Sequence, residues 1–440
     1  MPDDSNAISA VVDPESSEFA TEPVPAHAQV GWVRVALVSA MVAFSLPTFV
    51  TGAEVFLKLD NRSAFSATLL GCAVLTVIAA LCGIVGTRAH VSSYMLARVA
   101  FGQWGAAVVN LAFAVSLLGW FGVNIDLFSG AVIRLLGDAA QIAAPAWVVE
   151  LAAGVVMTIT TIYGFRAINA LSMVLVPVMM VVTVVLLGEA IGTRSLDATL
   201  AAPQVATMSF GDAVSSVVGG VIIGAIIMPD ITRFIRHWRG ALYTALLSYA
   251  IVQSIVMLSG GLAADLLRND DFLDVLIVMG LSWGAFVIVI AGSWVLNSLN
   301  LYSAGLGTEA TFPALKQRWL IIVLGVFGTA AAFLNILDSF LTFLFYLSVV
   351  FIPVAGIIAV DHFLVRPAAY RGAAVQHPDA YSATALVAWA SGSVFALAAD
   401  DLPISLTRIA AIDAIIIAAV LYAILGRWRP QPKFTTATEF

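Results

Sequence analysis

In the run Gly119-Trp120-Phe121-Gly122-Val123-Asn124-Ile125-Asp126, an indole and a primary amide stand four residues apart. On a helix that spacing puts Trp120 and Asn124 on one face. Together they offer what a flat nitrogen heterocycle needs: a ring to stack on and directional hydrogen bonds in the plane of the ring. The same two residues are equally suited to packing a helix interface and bonding a neighbouring helix. Asp126 closes the run and is either a proton-coupling carboxylate or an interior hydrogen-bonding group. A second polar set, Ser293-Trp294-Val295-Leu296-Asn297-Ser298-Leu299-Asn300-Leu301-Tyr302, interrupts a later apolar run. Asn297 and Asn300 share a face there. Buried amides in lipid are costly unless paired, so these two face the bundle interior and either bind a substrate or join helices.

Two further stretches break helical continuity. The first is Ala43-Phe44-Ser45-Leu46-Pro47-Thr48-Phe49-Val50-Thr51-Gly52; the second is Gly219-Gly220-Val221-Ile222-Ile223-Gly224-Ala225-Ile226-Ile227-Met228-Pro229-Asp230. Gly- or Pro-interrupted spans at matching places in two halves are the sequence trace of a transport site at mid-membrane. Phe44, Ser45, Gly220 and Val221 therefore join the substrate-binding candidates. The competing explanation is that Gly and Pro are common in membrane helices because they permit close packing. Asp230 and Arg233 read first as an ion pair at a helix end and second as part of an inner gate. The remaining acids of the apolar runs, Glu150, Glu189, Asp338 and Asp413, lie near span ends where they can reach water. His27, His90, His237, His362 and His377 form no ligand cluster. The last four fall in expected turns and read as solvated.

These residues sit in a chain that cannot be a soluble globular protein. Of 440 residues, 61% are hydrophobic and 11% charged, against roughly 45–50% and 25% in ordinary soluble proteins. The chain is a succession of apolar runs matching the ~20 residues a bilayer-spanning helix needs. The net charge of −7 comes mostly from a tail, residues 1–30, that holds six acids and no Lys or Arg. That tail is expected to be disordered and lacks the basic start of a signal peptide. Cys72 and Cys82 stand ten residues apart on one expected helix, roughly 15 Å along its axis, too far to bridge.

Helices are expected near 33–56, 64–86, 104–134, 145–164, 167–192, 209–232, 239–263, 273–303, 317–336, 340–363, 381–398 and 404–426. Twelve spans put both termini on one side. Only Lys58, Arg62, Arg134, Arg194, Arg268 and Arg408 fall opposite, leaving fourteen of the 20 basic residues beside the termini. The positive-inside rule then makes that side cytoplasmic. Helices 1–5 (31–192) and 6–10 (193–366) have similar lengths and opposite orientation, which suggests two inverted units. Residues 367–429 hold helices 11 and 12, and 430–440 form a C-terminal tail.

Gly119-Trp120-Phe121-Gly122, Asp230-Ile231-Thr232-Arg233-Phe234, Leu301-Tyr302-Ser303-Ala304-Gly305-Leu306-Gly307 and Ile352-Pro353-Val354-Ala355-Gly356-Ile357-Ile358-Ala359-Val360-Asp361 resemble motifs of the nucleobase:cation symporter-1, or purine–cytosine permease, family. The resemblance runs from about Pro23 to Arg429. It implies an all-α integral membrane protein with the leucine-transporter-like 5+5 inverted repeat and two added helices. It also implies a nucleobase or related heterocycle carried inward with a cation. Trp120 matches the family's stacking tryptophan, Asn124 the place where some relatives have a substrate-binding Gln, and Asn297 falls beside the Asn-rich substrate segment of helix 8. Leu117 and Val221 depart from the polar and aromatic residues of the cytosine permease. At the family's sodium site two adjacent hydroxyl residues are replaced by Val295 and Leu296. A hard cation wants oxygen ligands, which favours a proton over sodium, with Asp126 as its carrier.

The expected function is secondary active import of a nucleobase-like heterocycle across the plasma membrane by alternating access. The partners are the substrate, a coupling cation (H+ or Na+) and the lipid bilayer. No nucleic acid, cofactor, resident metal or catalysis is expected. Rivals are an amino-acid-like carrier on the same fold and a membrane-embedded transferase. For the transferase the sequence offers only the pairs Asp270-Asp271 and Asp400-Asp401, without the further acids such chemistry uses.

Overall fold

The computed structural model describes residues 23–429 apart from 164, 203, 270, 282–291, 313, 316, 335, 371–378 and 400–403. Among these the chain is helical throughout, with one isolated bridge between Val30 and Ile235. Among the described residues six helices are long and apolar enough to cross a membrane: Asn61–Ala89, Ser93–Arg134, Phe210–Thr232, Trp238–Leu267, Ile336–Val365 and Ala410–Trp428. Shorter apolar helices cover Ala146–Ile162, Pro177–Thr193, Arg318–Ala332 and Ala383–Ala398. We label the elements α1 (Trp32–Ala43), α2 (Leu46–Lys58), α3 (Asn61–Ala89), α4 (Ser93–Ala140), α5 (Ala146–Tyr163), α6 (Phe165–Thr193), α7 (Phe210–Ile226), α8 (Trp238–Leu267), α9 (Phe272–Val278), α10 (Ser293–Thr311), α11 (Gln317–Ala332), α12 (Phe340–Val360), α13 (Ala383–Ala398) and α14 (Ala410–Leu425).

The expected first span is two helices. Phe44 and Ser45 separate α1 from α2, and Ser45 is extended (φ −105°, ψ 149°). Pro47 follows within the first turn of α2, where its missing N–H has no intrahelical partner to lose. The expected sixth span breaks as well: Val221 leaves helical geometry inside α7 (φ −139°, ψ 15°), and the helix ends before a short turn at Pro229–Thr232.

Two expected boundaries are corrected. The third span starts at Ser93, not 104, and bends at Gly102 (φ 79°, ψ 171°). That break frees the N–H groups of Gln103 and Trp104, which donate to the carbonyls of Asp379 (2.8 Å) and Ala380 (3.1 Å). The eighth span is not one helix over 273–303. α9 ends at Val278, Gly280 takes a positive φ of 77°, and α10 is described over Ser293–Thr311, with 282–291 outside the described residues. Hydropathy runs unbroken through that turn, so a window of apolar residues does not find it.

Helix association in lipid depends on close backbone approach at small residues. A Cβ on Gly52 of α2 would overlap the Met257 carbonyl of α8, and one on Gly260 would strike the Phe49 backbone. Gly219 of α7 sits in the same way against the Leu344 carbonyl of α12. Cys72 and Cys82 are free thiols buried in the main core.

At the end of the bundle where the described chain begins, Pro23–Val30 is packed despite its place in the expected tail. The Val24 N–H donates to the His90 carbonyl (2.8 Å) and the Val30 N–H to the Phe234 carbonyl (2.7 Å), while Val24, Val30, Val35, Phe234 and Ile235 form a small core. Residues 1–22 and 430–440 lie outside the described residues. Also at this end, Asp361 accepts from Arg366 (3.0 and 2.9 Å), Tyr370 (2.9 Å) and Tyr422 (2.9 Å). Arg366 and Arg429 both reach Asp379, at 3.2 and 2.8 Å, and donate to the Val99 and Ala100 carbonyls just before the bend of α4. Burial beside the Asp361 carboxylate pushes the Tyr370 hydroxyl well above its ordinary range, so it stays a donor.

Candidate substrate site

Trp120 lies on α4, past the bend, with its ring buried. Its edges are held by two rings of α12: Phe343 at 5.6 Å and 70°, and Phe340 at 6.1 Å and 83°. These T-shaped contacts fix the indole plane. Gly119 leaves room for Phe343, and Gly122 lets α4 touch the Ala331–Ala332 backbone of α11. Asn124, one turn on, is fully buried; its Nδ2 donates to the Trp120 carbonyl at 2.8 Å, and its Oδ1 has no partner among the described residues.

Asn297 on α10 faces the same helix. It is fully buried, and its Nδ2 donates to the Phe121 carbonyl (3.0 Å) and approaches the Met157 sulfur (3.3 Å). Its Oδ1 is also unpartnered. The structure therefore brings Trp120, Asn124 and Asn297 together across α4 and α10, with two acceptor oxygens open. Asn300 is half-buried one turn further and takes no part in these bonds. Trp294, three residues earlier on the same side of α10, donates from Nε1 to the Thr160 hydroxyl of α5 (3.1 Å), and its ring meets Phe128 of α4.

The two broken helices approach through α12 and α2. Leu344, next to Phe343, touches the positions of both Gly219 and Gly220, and the Thr51 hydroxyl lies 3.7 Å from a Cβ built on Gly220. Phe44 and Ser45 are buried, with Ser45 Oγ bonded to Thr48 Oγ1 at 3.0 Å. Val221 is buried at the break. Breaks of this kind leave backbone N–H and C=O groups without helical partners, which can be met only by neighbours, water or a ligand.

Asp126 is half-buried, two residues beyond Asn124 on α4. The Val295 side chain lies outside the described residues, and Leu296 is half-buried. Asp230 is bonded by Ser93, through N–H at 2.7 Å and Oγ at 2.9 Å, which ties the end of α7 to the start of α4. Arg233 donates from Nε to the Asp230 carbonyl (3.1 Å), and its own carbonyl meets His90 Nδ1 at 2.8 Å.

One histidine and one acid differ from expectation. His362 is buried, with its ring against Phe363 and Tyr370, rather than solvated. Asp413 is fully buried and accepts from Ser405 Oγ, Leu406 N–H, Thr407 N–H and Thr407 Oγ1 at 2.6–3.0 Å, organising the loop before α14 rather than reaching water. His377, Asp270, Asp400 and Asp401 lie outside the described residues. The sequence reading passed over Ser116 and Gln253. Ser116 is one turn before Trp120, buried, with an unpartnered hydroxyl. Gln253 is fully buried on α8 with neither amide atom bonded. The signal in both cases was a lone polar residue in an apolar span.

Residues 23–420 match a family described as permeases for cytosine/purines, uracil, thiamine and allantoin. The cytosine permease of Escherichia coli strain K12 is 28% identical over 354 residues, 80% of this chain and 82% of that protein. A putative purine-cytosine permease of Bacillus subtilis is 32% identical over 177 residues, 36% of this chain and 39% of that one. Among solved structures, the chain is similar to Mhp1, a nucleobase-cation-symport-1 family transporter, in a closed conformation with bromovinylhydantoin bound. The TM-score is 0.77 at 20% identity, covering 95% of this chain and 96% of that one. A Na+-coupled sialic acid symporter gives a TM-score of 0.64 at 13% identity, covering 97% of both chains.

Proposed function

The chain belongs to the family of permeases for cytosine/purines, uracil, thiamine and allantoin, and we propose that it imports a nucleobase or a closely related nitrogen heterocycle with a coupling cation. It is a multi-pass plasma-membrane transporter and not an enzyme. The observation that carries the substrate class is the buried Trp120 ring flanked by two amides, Asn124 and Asn297, whose oxygens are both open. Trp120 supplies the stacking platform; the two Oδ1 atoms accept N–H donors from the edge of the base. Phe44 and Ser45, Gly220 and Val221 line the site with backbone freed at the two breaks, and Asn300 borders it. The similarity to the cytosine permease of Escherichia coli and to Mhp1 supports the same class.

The architecture we propose is twelve spans with cytoplasmic termini, arranged as inverted repeats over 31–192 and 193–366 with two added helices. Alternating access moves the units carrying the broken helices against those carrying α4 and α10. Asp230 and Arg233, strapped to Ser93 and His90, form the inner gate. The coupling ion is a proton carried by Asp126, since Leu296 brings no oxygen to the corresponding cation position. The test is uptake of radiolabelled cytosine, adenine, hypoxanthine, uracil and allantoin by cells expressing the chain, with sodium replaced by choline and with a protonophore. Saturable uptake of at least one base is the expected result. Absence of uptake for all five overturns the substrate class.

A further inference from the structure

α8 changes from α to π winding over Leu246–Gln253 and returns to α at Ser254. Such an insertion widens the turn and recurs where a helix wall serves function. The π stretch ends on Gln253, which is fully buried and has neither Oε1 nor Nε2 bonded. Its neighbours one turn to either side show which way that face of α8 looks. The Tyr249 hydroxyl lies 3.2 Å from a Cβ built on Gly224, and Met257 Cε lies 3.9 Å from one built on Gly220. Between those two glycines Val221 leaves the helix. Gln253 thus lies on the face of α8 that looks toward the break of α7. Leu344 meets the same Gly220 position as Met257, and also Gly219, and it is next in sequence to the Phe343 ring that holds Trp120.

The chemistry of the occupant follows from which atoms are open. A cation would take Oε1 alone and face the amide hydrogens unfavourably; an anion would take Nε2 alone and face the oxygen. A neutral group with a donor beside an acceptor satisfies both, as the lactam or amidine edge of a nucleobase does. Asn124 and Asn297 each spend one N–H on the Trp120 and Phe121 carbonyls. Of the three amides, Gln253 is the one whose nitrogen and oxygen are both open among the described residues.

We propose that Gln253 is a specificity-determining residue that reads the donor–acceptor edge of the transported heterocycle through the break of α7. This rests on the heterocycle reading above. A resident water would satisfy the same two atoms, and the test separates it from the substrate.

The full-length protein in detergent is titrated with tritiated cytosine and tritiated hypoxanthine, and competed with each base and its ring N-methylated analogues. Wild-type protein should bind at least one base and reject the analogue methylated on the read edge by about tenfold or more. Gln253→Met should bind the parent base about tenfold more weakly and lose the discrimination against that analogue. Its ligand-free melting temperature should not fall, because the amide has no protein partner to lose. Gln253→Asn, which keeps the chemistry with a shorter reach, should retain part of the discrimination and serves if the Met variant does not fold. Undiminished discrimination in either variant overturns the inference and leaves the site to water. Failure of wild-type protein to bind either base overturns the heterocycle reading itself, a different and distinguishable result.

Discussion

Asn297 on α10 donates its side-chain nitrogen to the carbonyl of Phe121 on α4, 3.0 Å away, and its oxygen remains open. The bond fixes the amide's orientation by satisfying backbone of the very helix that carries Trp120. Asn124 is fixed in the same sense by the Trp120 carbonyl. Neither amide is then free to flip. A ligand that approaches their open oxygens must bring N–H groups.

Asn297→Leu removes one of these acceptors and leaves the Phe121 carbonyl without its donor. A neutral hydrogen bond is worth about 0.5–1.5 kcal/mol net, so apparent affinity should fall by about threefold to tenfold, with little change in maximal rate. Concentration-dependent uptake of the transported base measures both. Unchanged affinity would place Asn297 among the residues that merely join α10 to α4.

Trp120→Ala should be more severe. Base–aromatic stacking is worth about 1–3 kcal/mol by alanine substitution, which means a tenfold to hundredfold loss of affinity, with the protein still inserted and present at the membrane. Trp120→Phe should recover part of the loss, since a smaller ring remains between Phe340 and Phe343. Uptake at matched expression decides it, and full affinity in the alanine variant would remove the platform.

The breaks that expose backbone near this site were visible in the amino-acid order because proline and glycine announce them: Ser45 and Pro47 in one case, Gly219, Gly220 and Gly224 in the other. The bend of α4 was not, because Gly102 has no proline or neighbouring glycine pair to mark a break and its geometry is met by the distant Asp379–Ser382 segment. The turn at Gly280 was hidden for the same reason, within continuous hydropathy. Local types also could not show that His362 would be buried by Phe363 and Tyr370, or that Asp413 would find four donors in its own loop. Trp120 and Asn124 were readable as a pair because helical spacing alone joins them. Gln253 was not, since its relation to Val221 exists only once Tyr249 and Met257 of α8 reach Gly224 and Gly220 of α7.

Gly102 has a backbone conformation that side chains avoid, and a Cβ there would come within 2.8 Å of Tyr381 Cα. Gly102→Ala should cost about 1–3 kcal/mol from the backbone alone, and more if the 379–382 segment is displaced. Gly130→Ala, in the same helix with nothing near its added carbon, is the matched control and should be neutral or slightly stabilising. Melting temperatures of the two purified variants test the contrast; equal values would show that the bend is not strained by a side chain.

The Asp361–Arg366 pair is buried on both sides. Removing one partner of such a pair leaves an uncompensated charge and costs about 3–5 kcal/mol. Arg366→Met should therefore yield little folded protein. Asp361→Asn combined with Arg366→Met removes both charges, and should restore much of the monodisperse yield on size-exclusion chromatography. A double variant no better than the single one would mean that Arg366 acts mainly through the Val99 carbonyl and Asp379.

Coupling can be separated from binding at Asp126. Two residues beyond Asn124, it does not share the helix face of Trp120 and Asn124, so Asp126→Asn should leave the affinity for substrate close to that of the wild type. If Asp126 carries the proton, neutralising it removes the step that depends on the proton gradient while leaving the cycle that moves loaded substrate both ways. Reconstituted vesicles should then show exchange of internal for external base at near-normal rate, but no accumulation driven by an inward proton gradient. Wild-type vesicles should do both, and a sodium gradient alone should drive neither protein. Accumulation by Asp126→Asn under a proton gradient would move the carrier to another group. Accumulation by the wild type that follows sodium would instead call for oxygen ligands near α10, where the buried hydroxyls of Ser293 and Ser298 are both unpartnered, and the next variants would be made there.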